Sequence, residues 1–211
     1  MMSGGTLAPA AIESFSCTAH LLQATGHSVQ AETCLKSALE TDPLSIERNT
    51  EVGCSAYYEK RYDAAIRGYR EALQLDPRND VAYYGLGRAY AQMQRYTEAL
   101  DELKRAETMN GTAPPLVLAE TGYVYAKSGR TADAQAMIRR LTAPNQPAWV
   151  DPYHLASIYM GLGDRTRALE WLAKAEDARS SFIPSVPDDP KWDAMRDDPR
   201  FKAFVRRLGF S

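Results

Sequence analysis

The sequence predicts an all-α fold, a row of about five helical hairpins laid side by side. Two observations carry that prediction. The first is a column of small residues, Ala31, Ala65, Ala99, Ala134 and Ala168, spaced by 34, 34, 35 and 34 residues. A second column keeps the same register through Ala38, Ala72, Ala106, Leu141 and Ala175. The other is a small position ahead of each pair, Ala19, Gly53, Gly87, Gly122 and Ala156, where two antiparallel helices can approach closely. A fixed period of this length marks a structure that grows one hairpin at a time.

Residues 1–11, with Ser3-Gly4-Gly5, read as a flexible leader. The repeats then follow as 12–45, 46–79, 80–114, 115–148 and 149–180. In each, a large apolar residue sits between the alanine columns, namely Leu35, Tyr69, Leu103, Ile138 and Leu172. Gly26, Gly129 and Gly163 mark the turn inside the hairpin, where left-handed backbone suits glycine; Lys60 and Gln94 fill the same slot elsewhere. Ser28, Thr97 and Thr131 are candidate N-caps of second helices. Asp42-Pro43 and Asp76-Pro77 end second helices, because proline disfavours helical geometry in the residue before it. The one extra residue in the register falls within Asn110 to Pro115.

Beyond residue 180, Pro184, Pro187, Pro190 and Pro199 alternate with acidic residues, so 181–211 is expected to hold a proline-rich linker and a final helix. Asp198-Pro199 opens that helix, and Arg206, Arg207 and Gly209 close it. Its apolar face, Phe201, Phe204, Val205 and Leu208, together with Trp192, is expected to pack on the fifth repeat as a cap.

The chain has 25 basic and 27 acidic residues and a net charge of −2, which gives no pull toward nucleic acid or an anionic membrane surface. No apolar run approaches the roughly 20 residues of a membrane span, so a cytoplasmic protein is expected. Gly85-Leu86-Gly87 opens like a dinucleotide fingerprint, yet Tyr90 stands where the third glycine belongs and no strand precedes it. No phosphate loop, zinc-protease motif or nucleophile elbow is present. His20, His27 and His154, with Cys17, Cys34 and Cys54, form no familiar metal spacing. We therefore expect no cofactor, no metal and no enzymatic activity. Cys17 and Cys34 share a hairpin, so a disulfide is conceivable, and a reduced, buried pair is the simpler account.

These columns, with Phe15, Asn49, Tyr83, Leu118 and Pro152 in the slot for tryptophan, resemble the tetratricopeptide repeat family. Its pattern runs W-x2-L-G-x2-Y, A-x3-F, P. The end of the chain, Asp198-Pro199-Arg200-Phe201 and then Arg206 to Gly209, is similar to the ends of bacterial repeat proteins. Arrays of that kind often accompany a transcription regulator, nucleotide cyclase or serine/threonine kinase.

The resemblance implies a right-handed superhelix whose first helices line a concave groove. Carried over position by position, the groove is expected to present Tyr57, Tyr58, Tyr84, Arg88, Gln92, Tyr123, Lys127 and Tyr153. His20, Gln23, Thr50, Cys54, Ala119, Ser157 and Met160 occupy further groove slots. Tyrosines flanked by Arg88 and Lys127 suit a peptide or partner protein bearing an acidic side chain or a C-terminal carboxylate. The clamp that relatives use on heat-shock chaperone tails is missing, since its slots hold Ser16 and His20, Thr50 and Cys54, Tyr84 and Arg88. Two roles follow from the resemblance: a protein-interaction scaffold, or a ligand-sensing, regulatory segment of a larger signalling protein.

Overall fold

The computed structural model describes residues 45–109, 113–144 and 149–209, so the first repeat, with its alanines, Cys17, Cys34, His20, Gln23 and Ser28, lies outside the described residues. The described chain forms four helical hairpins and a closing helix. The hairpins are α1 (Ile46–Tyr58) with α2 (Tyr62–Leu75), α3 (Asp80–Gln92) with α4 (Tyr96–Thr108), α5 (Pro115–Lys127) with α6 (Thr131–Leu141), and α7 (Pro152–Gly161) with α8 (Arg165–Asp177). Two 3-10 turns, Ile183–Ser185 and Pro190–Met195, lead into α9 (Pro199–Arg207). Each hairpin packs on the next, and the first helices also meet one another along the row. No strand occurs among the described residues.

Local signals explain the helix ends. Ser45 and Asn79 cap α1 and α3 by accepting from the backbone N–H of Arg48 and Ala82. Asp151 and Asp198 cap α7 and α9, with Pro152 and Pro199 at the first helical position, where the missing N–H costs nothing. Asp76 is extended, as its following proline requires, and α2 stops there. Thr97 and Thr131 do not cap. They lie inside α4 and α6, whose N-cap positions are Arg95 and Arg130 without a side-chain cap bond. The tight turn sets those helix starts one or two residues earlier, and each arginine instead pairs with an acid on the first turn, Glu98 or Asp133. The turn slot is left-handed in every described repeat, with φ of 61° at Lys60, 60° at Gln94, 80° at Gly129 and 76° at Gly163.

The alanine columns are the seams of the hairpins: Ala65, Ala99, Ala134 and Ala168 are fully buried, as are Ala72, Ala106 and Ala175. Tyr69 shows how tightly consecutive repeats engage. A Cβ on Gly53 would come within 2.7 Å of its ring, and one on Gly85 of the next repeat within 2.3 Å. Gly85 is thus a packing glycine, which accounts for the false start of a nucleotide motif. Ile138 is only half-buried and departs from the large apolar column.

The C-terminal cap is present. Trp192, Met195, Phe201 and Phe204 join Tyr153, Ala156, Met160, Ala168 and Leu172 in one apolar cluster, so α9 and the second 3-10 turn cover the last hairpin. The stretch between α8 and α9 goes further than linking them, because it enters the concave side.

Candidate functional site

The first helices place their side chains toward a common axis, and the structure brings most of the expected groove residues together there. Tyr57 comes from α1, Tyr84 and Arg88 from α3, Tyr123 from α5 and Tyr153 from α7, and all five are buried. Tyr58 and Gln92 are half-buried at their side, and Lys127 is exposed at the end of α5. Thr50, Ala119, Ser157 and Met160 are buried as well.

What buries them is the chain's own segment 181–198. At its centre is Asp189, 1% exposed. Its carboxylate accepts from Tyr57 Oη at 3.3 Å, from Tyr153 Oη at 2.9 Å and from Arg88 Nη2 at 3.3 Å. It also caps its own 3-10 turn, taking the Lys191 N–H at 3.0 Å. Burial pushes the Asp189 carboxyl up, but the Lys191 and Arg88 charges and the hydrogen bonds from Lys191 N–H and Tyr153 outweigh it and hold the group below its ordinary range. Arg88 is steered from behind by aromatic faces, its guanidinium carbon 4.0 Å from the centroid of Tyr57 and 5.3 Å from that of Tyr58.

Two residues on, Lys191 continues the pattern with the opposite sign. Its ammonium donates to Glu120 of α5, with both side chains almost wholly buried. It also stands 5.4 Å from the ring centroid of Tyr123. Trp192 follows, fully buried against Tyr153 and stacked on Phe201 at 6.1 Å. At the far end Asp193 meets Lys60 of the α1–α2 turn at 2.6 Å, on the surface. The segment therefore touches the first helix of every described repeat and ends on the hairpin turn of the one farthest from α9.

The match between segment and groove is incomplete. Five buried side-chain polar atoms make no hydrogen bond among the described residues: Arg88 Nε, Glu120 Oε1, His154 Nδ1, Trp192 Nε1 and Glu102 Oε2. All but the last lie at this contact. His154, its ring centroid 5.2 Å from that of Phe182 and 6.3 Å from that of Tyr153, is lowered to about 3 by burial and by the nearby Lys191 charge, and so is neutral near pH 7.

Sequence reasoning missed Asp189, Lys191 and Glu120, and weighed His154 only as a metal ligand. Glu120 carried a readable signal, since it sits one residue after a groove slot and directly follows the apolar run of Leu116, Val117, Leu118 and Ala119. Asp189 carried none, because it lies in an acidic run with no period. Among the described residues no helix is long and apolar enough to cross a membrane.

Known proteins agree with this architecture. Tetratricopeptide repeat family models match residues 56–119 and 153–182. Human tetratricopeptide repeat protein 28 is 35% identical over 81 residues, which is 38% of this chain and 3% of that protein, so the likeness spans a small part of that relative. Among solved structures, a thermophilic TPR protein of Thermus thermophilus superposes with a TM-score of 0.61 at 23% identity, covering 87% of this chain and 98% of that one. PilF of Pseudomonas aeruginosa gives 0.54 at 21% identity over 95% and 93%. With the repeat columns, the paired helices and the family matches in one register, the chain carries tetratricopeptide repeats over residues 56–119 and 153–182.

Proposed function

We propose that this chain is a scaffold that captures a segment of a partner protein along its concave side, at a site that reads a carboxylate. Repeats of this kind generally mediate protein–protein interaction; the position and chemistry of the site are the added claim. The observation that supports it is the convergence of Tyr57, Arg88 and Tyr153, from three different repeats, on one carboxylate. Two hydroxyls and a guanidinium around a single acid are a recognition arrangement, because burying charge for stability alone gains little over apolar packing. The role is binding rather than catalysis. Gln92 donates weakly to Tyr57 Oη at 3.4 Å and marks the mouth of the site; Lys127 is exposed and can meet an acidic neighbour of the bound group.

The test is site-specific photocrosslinking in the native host. A photoreactive residue at Gln92 should capture a partner protein, and the same residue at exposed Lys104 on α4 should not. Capture from Lys104 alone would move the binding surface to the outer face and sink the proposal.

A further inference from the structure

The segment 187–195 is a ligand in everything but covalent connection, and this bears on both the partner's chemistry and its access. It presents, in order, a carboxylate (Asp189), a cation two positions on (Lys191) and an aromatic directly after (Trp192). Each group meets a complementary one supplied by the repeats: Arg88 with Tyr57 and Tyr153, Glu120, and the ring of Tyr153 in a T-shaped contact. We infer that residues 187–195 are the resting occupant of the groove, and that the partner displacing them is a protein segment carrying the same order of groups: an acid, then a cation two residues later, then an aromatic. This deepens the groove proposal and rests on it.

Two independent features favour exchange over permanent closure. The contact leaves Arg88 Nε, Glu120 Oε1, His154 Nδ1 and Trp192 Nε1 without hydrogen-bond partners, a cost that a better-matched segment removes. The contact also holds two buried ion pairs, Arg88–Asp189 and Glu120–Lys191, beside the apolar Trp192 and Met195. Charged groups such as these regain their hydration when the segment leaves, so opening costs less than exposing an apolar core of equal area. The segment is tethered beside its site, and a short tether gives it an effective concentration on the order of millimolar. A foreign segment of equal intrinsic affinity is thus held off until its local concentration or its fit exceeds that.

The probe is a fluorescent peptide with the sequence of residues 187–195, titrated by anisotropy into the full chain and into Asp189→Asn/Trp192→Ala, which weakens the tether's hold and leaves every groove residue intact. We expect the variant to bind the peptide at least about tenfold more tightly than the wild type, the tethered copy being the competitor. A peptide in which its own Asp189 is replaced by Asn should lose at least about tenfold on that variant. Equal binding to both proteins, or no binding to a variant whose circular dichroism matches wild type, overturns the inference. Because the variant could fail to fold, hydrogen exchange on the wild-type chain gives a second readout. Amides of 181–198 should exchange through a local opening, well before those of α5. Exchange of both only through global unfolding would make the segment permanent core and overturn the inference. Partner capture at Gln92 with the segment's amides still protected would remove this inference and leave the groove proposal standing. Trans binding of the peptide with no partner ever captured would leave residues 187–195 as the occupant of the groove and overturn both the partner segment inferred here and the groove proposal it rests on.

Discussion

His154 shows how one buried side chain records the closed groove. Its folded value is lowered to about 3, against an ordinary value near 6.5. Between those two pH values the unfolded chain binds a proton that the folded chain refuses, so stability rises with pH across the window and is lost progressively as pH falls from about 6.5 toward 3. The slope from this one group is about 1.4 kcal/mol per pH unit. His154→Gln should remove that component from the urea-measured stability between about pH 6 and 4, and an identical slope in both proteins would show that the imidazole is solvated. Asp189 acts in a lower window: its value is depressed, so its contribution is complete above the ordinary carboxylate range and fades only below it. Gly85 gives a test of opposite character. Alanine is the better helix former by about 1 kcal/mol, yet its Cβ would lie 2.3 Å from the Tyr69 ring. Tyr69 is buried and cannot withdraw, so overpacking wins and Gly85→Ala should lower stability by about 1 to 3 kcal/mol in thermal or urea unfolding.

At the scale of the element, the hairpin was readable because it is local. The alanine columns, the Asp76-Pro77 stop and the Asp198-Pro199 start each specify a contact or a boundary within one repeat or between neighbours, so period and capping chemistry suffice to place them. The misplaced caps at Thr97 and Thr131 have a specific cause. Left-handed backbone at Gln94 and Gly129 lets the second helix begin at once, and Arg95 and Arg130 occupy the N-cap position without accepting a bond. Gln94 is exposed and holds φ of 60° with a Cβ, a conformation that costs a non-glycine residue roughly 1 to 2 kcal/mol. Gln94→Gly removes that strain and returns part of it as unfolded-chain entropy. The net should be a gain of about 0.5 kcal/mol, read as a raised urea midpoint; a loss would mean that the Gln94 side chain makes a contact of its own. Lys60 is the poorer choice for this test, since it also holds Asp193.

At the scale of the whole molecule, the groove was legible only in half. Register along the repeats puts Tyr57, Arg88, Tyr123 and Tyr153 on one side, and they do lie there; what fills the space between them depends on contacts spanning 132, 101, 71 and 36 residues. Nothing periodic announces such contacts, and a proline-rich acidic stretch has the composition of a linker whether it is solvated or buried. The cap and the occupant are coupled through Trp192, which stacks on Phe201 of α9 while facing Tyr153 of the groove. Deleting 199–211 should therefore do more than bare the fifth repeat. Phe201 and Phe204 are both buried, and losing two such side chains removes roughly 3 to 6 kcal/mol, a large share of the 5 to 15 kcal/mol of a typical domain. The exposed ion pairs of α9, such as Arg207–Glu176, add little beside that. The shortened chain should unfold at lower urea and scatter light in proportion to its concentration, because Trp192 and the α8 face are left uncovered. Phe201→Ser/Phe204→Ser in the full-length chain should reproduce both effects if the apolar face is the cause. A truncated chain that remains monomeric with an unchanged midpoint would mean that Asp189 and Trp192 hold the segment without help from α9, and that the closing helix is free to dock elsewhere.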